Sequence, residues 1–113
     1  MHVMEKPISI ADLVEMARHG FGEMVKAVVD VERGIMAVDA ELHSDEEALL
    51  IAAGSRQEDL WGINIYPELP EGERIEFDSM INLRPTQGNR TRGVDDAATR
   101  ARIVQVVNNL VHA

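Results

Sequence analysis

The chain has 113 residues, 45% of them apolar, a formal net charge of −9 and no cysteine. That length holds one domain, taken as 1–113, and the apolar content argues against disorder. The composition excludes disulfides, thiolate metal sites and cysteine nucleophiles, and the acidity disfavours general nucleic-acid binding and anionic membrane surfaces.

No signal-peptide core follows the start His2-Val3-Met4-Glu5-Lys6-Pro7, and no apolar run approaches the ~18 residues of a membrane span. A cytoplasmic protein with no membrane partner and no cofactor is expected. Ser9 to Arg18 then reads as a helix: Ile10, Leu13, Val14 and Ala17 make one apolar stripe, Ser9 caps it and Gly20 stops it. From residue 24 the period changes to alternation. Val25, Ala27, Val29 and Val31 oppose Lys26, Val28, Asp30 and Glu32, Arg33-Gly34 turns the chain, and a return strand runs to Leu42. This predicts a β-hairpin.

Ser44-Asp45-Glu46-Glu47 is a helix start, with Ser44 as cap and Glu47 three residues on. The apolar run Ala48 to Ala53 predicts a well-buried helix that ends at Gly54. Trp61 to Tyr66 alternates again, and so does Arg74 to Arg84, the longest alternating run, which Pro85 ends. After a polar loop, Asp95 is the expected cap of a last helix with Ile103, Val106, Val107 and Leu110 on one face. The order α-ββ-α-ββ-α predicts a two-layer α+β fold: a four-stranded antiparallel or mixed sheet with helices on one face and the other face solvated.

Three groups of residues could carry chemistry. On the return strand Asp39, Glu41 and His43 share a face, and Glu41, His43 and Asp45 are candidate metal ligands or a general acid/base set. The strand rise spreads alternate residues nearly 7 Å apart, too far to grip one ion without a bend. The plainer alternative is a solvated strand face. Asn64 and Asn82 are unusual inside strands. If their strands pair, Asn64, Tyr66, Asp78, Asn82 and Arg84 gather on the open face as a set suited to a small polar ligand, against the alternative that a one-sided sheet needs a wet face anyway. Finally Arg84, Asn89, Arg90 and Arg92 lie in a loop that leads into a helix N-terminus, where an anion is favoured. The loop is not a P-loop, and its arginines could simply balance nearby acids.

The runs Glu41-Leu42-His43-Ser44-Asp45-Glu46-Glu47, Gly54-Ser55, Trp61-Gly62-Ile63-Asn64-Ile65-Tyr66-Pro67, Ile75-Glu76-Phe77-Asp78-Ser79-Met80-Ile81-Asn82 and Arg84-Pro85 give most of the chain a family likeness. It resembles a small family of uncharacterised prokaryotic proteins of about this length, a domain of unknown function. The resemblance implies a free-standing prokaryotic protein and supplies neither a reaction nor a ligand. With no complete catalytic motif, three readings stand in this order. The first is a binding module for a small anionic ligand or a partner. The second is a homodimer that pairs through a sheet edge or a Met-bearing surface. The third is a metal-assisted hydrolase using Glu41, His43 and a carboxylate.

Overall fold

A computed structural model describes residues 2–113. In chain order the elements are β1 (His2–Met4), β2 (Ile8–Ser9), α1 (Ile10–His19), β3 (Val25–Asp30), β4 (Ile35–Val38), α2 (His43–Ala52), β5 (Leu60–Ile65), β6 (Ile75–Glu76), α3 (Ala97–Leu110) and β7 (Val111–His112). The main sheet is antiparallel throughout, in the order β1-β4-β3-β5-β6, and β2 and β7 form a short parallel pair.

The hairpin forms where alternation and Arg33-Gly34 placed it, with Gly34 at φ 68° in the left-handed region that glycine enters freely. Register pairs Val29 with Met36 and Trp61, and Ala27 with Val38 and Ile63, so these side chains share one face. On it lie Leu13 and Ala17 of α1 and Ile103, Val106, Val107 and Leu110 of α3, in one apolar core. Ser9 caps α1 by accepting from the Asp12 amide. The cap of α3 is Asp96, which accepts from the Thr99 amide at 2.9 Å, and not Asp95.

The other face is covered as well, which corrects the two-layer expectation. Val28, Ile35, Ala37 and Leu60 pack against Leu50 of α2 and against Ile81 from the segment after β6. The sheet is therefore sandwiched between α1 and α3 on one side and α2 with a loop on the other. The sheet also has five strands instead of four, because β1 adds to the free side of β4.

The expected strand Arg74 to Arg84 is the second correction. Only Ile75–Glu76 pairs with β5; the chain then leaves the sheet and makes a 3-10 turn at Met80–Asn82. Ser79 drives the departure, since its Oγ accepts from the Ile81 amide and takes that donor from any strand ladder. The third correction concerns α2. Leu42, not Ser44, is its first flanking residue, and it offers no side-chain cap. The buried side chains of α2 are His43, Glu46 and Leu50, while Ala48, Ile51, Ala52 and Ala53 are exposed. This helix turns its polar side inward.

Candidate functional site

The polar interior beneath α2 is built around two asparagines. β6 ends after two residues, which leaves the Gly62 backbone of β5 without a strand partner on that side. The Asn82 side chain supplies the missing pairing. Its Oδ1 accepts from the Gly62 amide at 2.8 Å, and its Nδ2 donates to the Gly62 carbonyl at 2.9 Å and to the Arg92 carbonyl at 2.9 Å. Asn89 ties the loop in the same way: Nδ2 donates to the carbonyls of Asn82, Thr91 and Gly93, and Oδ1 accepts from the Asp95 amide. Asp95 closes the loop by accepting from the Arg90 amide and the Thr91 hydroxyl. A Cβ on Gly62 would sit 2.5 Å from that of Ser79, so glycine there lets the loop lie directly on β5.

Most residues anticipated as ligand contacts are thus occupied with holding the fold. Arg84 donates to the carbonyls of Ile81, Gln57 and Leu60, and its guanidinium carbon lies 4.7 Å from the centre of the Trp61 ring. Asn64 donates to Glu76 at 2.8 Å, and the Tyr66 hydroxyl reaches the same carboxylate at 3.3 Å. Asp78 accepts from Arg92 Nε at 2.7 Å. Arg90 is exposed. Asn64, Asn82 and Asn89 are buried, not displayed on an open face.

Glu41, His43 and Asp45 do not converge either. β4 ends at Val38, Asp39 adopts φ 71°, and the chain turns into α2 before the alternating spacing can continue. Glu41 and Asp45 border a shallow open dish with Ala40, Ala48 and Leu49, whereas His43 turns inward. Among the described residues no three His, Asp or Glu side chains are grouped to hold a metal ion.

The structure does gather a different set. A cavity of about 150 Å³ at the start of α2 is lined by Lys26, Leu42, His43, Ser44, Ser79, Met80, Ile81 and Arg92. Lys26 comes from β3, His43 and Ser44 from the first turn of α2, and the remainder from the loop that Asn82 and Asn89 clamp. The ammonium of Lys26 makes no ion pair among the described residues and stands 5.4 Å from the centre of the Phe21 ring, and Arg92 has only its Nε engaged. The amides of His43 and Ser44 find no acceptor among the described residues, and α2 has no side-chain cap. Two cationic residues and the uncapped first turn of α2 therefore line one small space.

His43 is only 6% exposed, and its Nε2 lies 2.7 Å from the Ile63 carbonyl. A carbonyl carries no proton, so Nε2 must donate and Nδ1 holds the lone pair in the neutral ring. Burial depresses the His43 pKa; the Ile63 bond and Asp78 raise it, while Lys26 and Arg92 lower it further. The ring is neutral at pH 7. One turn along α2, Glu46 is wholly buried, and its Oε2 accepts from the Ala40 amide at 3.1 Å while Oε1 has no partner. Burial pushes its pKa up to about 9, against smaller opposing effects of the Ala40 bond and Lys26. Glu46 is a neutral acid at pH 7 and sets no negative charge against the cavity.

A somewhat larger cleft, about 200 Å³, lies at the end of α1 between Met16, Phe21, Lys26, Asp39 and Glu41. It lacks a second cation, and both of its carboxylates oppose an anion. The cavity at α2 has the lining better suited to an anion. Sequence reasoning missed Lys26 and Ser79 because each belongs to a regular alternation that explains it without function. It misjudged His43 by extending β4 too far.

A small three-layer α+β domain with a cationic cavity at one helix start is the class that this fold and site define. The chain belongs to the family described as Protein of unknown function (DUF5674), which matches residues 2–110. No curated protein and no solved structure matches it. Among the described residues no helix is long and apolar enough to cross a membrane.

Proposed function

We propose that this chain is a small binding module that holds an anionic group in the cavity at the start of α2. The observation that carries the reading is the meeting of Lys26, Arg92 and the free amides of His43 and Ser44 around one space of about 150 Å³. Guanidinium, ammonium and helix-start N–H groups each favour an anion, and together they fix its position. Glu46, one turn along α2, is neutral and adds no buried negative charge. Asp78 neutralises part of Arg92. Of the residues first expected to meet the ligand, Arg92 keeps that role, while Asn82 and Asn89 hold the wall in place.

The test is a titration of the ¹⁵N-labelled protein with inorganic phosphate at low ionic strength. Saturable shifts at His43, Ser44 and Arg92 are expected, weakened by added salt and by the double substitution Lys26→Ala, Arg92→Ala. A uniform drift that never saturates, or binding indifferent to that double substitution, would remove the reading.

A further inference from the structure

The cations explain why an anion would enter the cavity, but they do not explain the free nitrogen of His43. The residue is buried, its tautomer is fixed by the Ile63 carbonyl, and Nδ1 has no hydrogen-bond partner among the described residues. Nδ1 is also not among the buried atoms lacking both partner and solvent, and His43 lines the cavity. A lone pair held beside two positive charges is a poor partner for a bare anion. It repels an oxyanion's lone pairs and needs a donor.

Resting on the anion-pocket reading above, we propose that the ligand is an oxyanion that carries its own O–H donor, hydrogen phosphate or a small hydroxy acid, and that His43 Nδ1 accepts that hydrogen. The negative oxygens face Lys26, Arg92 and the amides of His43 and Ser44; the hydroxyl faces Nδ1. No bond is broken and no proton changes owner. Selectivity arises because an oxyanion without a donor leaves Nδ1 unpaired and opposes it with lone pairs. The groups that face the ring are Lys26 from β3, Ser44 on its own helix, and Asp78 and Arg92 from the loop side. Its depressed pKa keeps the acceptor available through neutral pH, and acidification converts it to a donor.

The experiment compares matched anions at pH 7: phosphate against sulfate, which has no proton to give, and glycolate against acetate. Phosphate and glycolate are each expected to bind about tenfold more tightly than their counterparts, the worth of one hydrogen bond to a buried acceptor. The His43 Nδ1 resonance should move with phosphate and glycolate and stay still with sulfate and acetate. His43→Phe keeps the ring's bulk and deletes the acceptor together with the Ile63 bond; it should bring phosphate down to the level of sulfate without weakening sulfate. At a pH low enough to protonate the ring, wild type should lose the preference too. Equal saturable binding of phosphate and sulfate, with Nδ1 unmoved, overturns the proposal and leaves the anion pocket standing. Absence of saturable binding by every anion overturns both. The resonance measurement on the unaltered protein decides the matter even if His43→Phe fails to fold.

Discussion

The two faces of the sheet are held by different physics. Toward α1 and α3 the contact is Val, Ile, Leu, Met and Trp, and nothing there depends on one hydrogen bond. Toward α2 and the loop the buried set includes Asp30, His43, Glu46, Ser55, Ser79, Asn82 and Asn89, with a much smaller apolar cluster. Apolar packing is non-directional and forgiving of small changes in shape, whereas a buried polar group is costly unless its partner is in place. The second face is therefore specified by geometry more than by area. Asp30 illustrates this: its Oδ1 accepts from the amides of Glu32 and Arg33, and its Oδ2 from the Ser55 hydroxyl at 2.6 Å, so one carboxylate pins the hairpin turn to the end of α2.

Three measurements break or sharpen that contrast. The largest effect is expected from Asn82→Ala, which strands the Gly62 amide and the carbonyls of Gly62 and Arg92. A loss of ~4 kcal/mol in urea unfolding is expected, well above the common range for a single hydrogen bond. A loss below ~1 kcal/mol would show that water replaces the side chain and that the face is not geometrically specified.

The next effect concerns pH. Glu46 has its folded pKa raised to about 9, so the folded state holds a proton that the unfolded chain, with an ordinary carboxyl near 4.5, has released. That stabilisation is complete at acid pH and declines as pH rises toward 9. The slope approaches ~1.4 kcal/mol per pH unit. Stability should fall by about 2 kcal/mol between pH 7 and 8.5, above the titration of His43, and Glu46→Gln should flatten the profile. A profile already flat in the wild type would mean that Glu46 is ionised in the fold. The smallest effect belongs to the apolar face. Ile103→Val, fully buried against the sheet, should cost only ~1 kcal/mol and leave the loop's amide resonances unchanged.

The same contrast explains what the sequence disclosed. The hairpin, α1, β5 and the inward stripe of α3 were legible because apolar periodicity reports burial directly when the burial is apolar. The second face was illegible because its buried residues are those a sequence reader assigns to solvent. In α2 the inward positions are His43, Glu46 and Leu50, while Ala48 and Ile51 face outward, so hydropathy points the wrong way round. Between Arg74 and Arg84 the alternation is real as a pattern, but Ser79 and Asn82 spend their side chains on backbone groups and end the strand after Glu76. The oddity of Asn82 inside an apparent strand was a sound signal, yet it pointed to backbone satisfaction and not to display, while Asn64 is spent on the Glu76 carboxylate. Of the residues that line the cavity at α2, Arg92 is one the sequence singles out. The pairing of Lys26 with the first turn of α2 was not legible, because it depends on where β4 stops, and no period reports that.

The clasp made by Asn82 also has a consequence in time. One side chain joins residue 62 to the carbonyl of residue 92, so the loop that walls the cavity can open only when those bonds are released together. Segments joined in this way behave as one cooperative opening unit, separate from global unfolding. The Gly62 amide then serves as a clock for that event: it exchanges its hydrogen only while the wall is lifted. Its protection reports the free energy of that opening, and any occupant that binds only the closed wall raises the protection by a factor of one plus its free concentration over Kd.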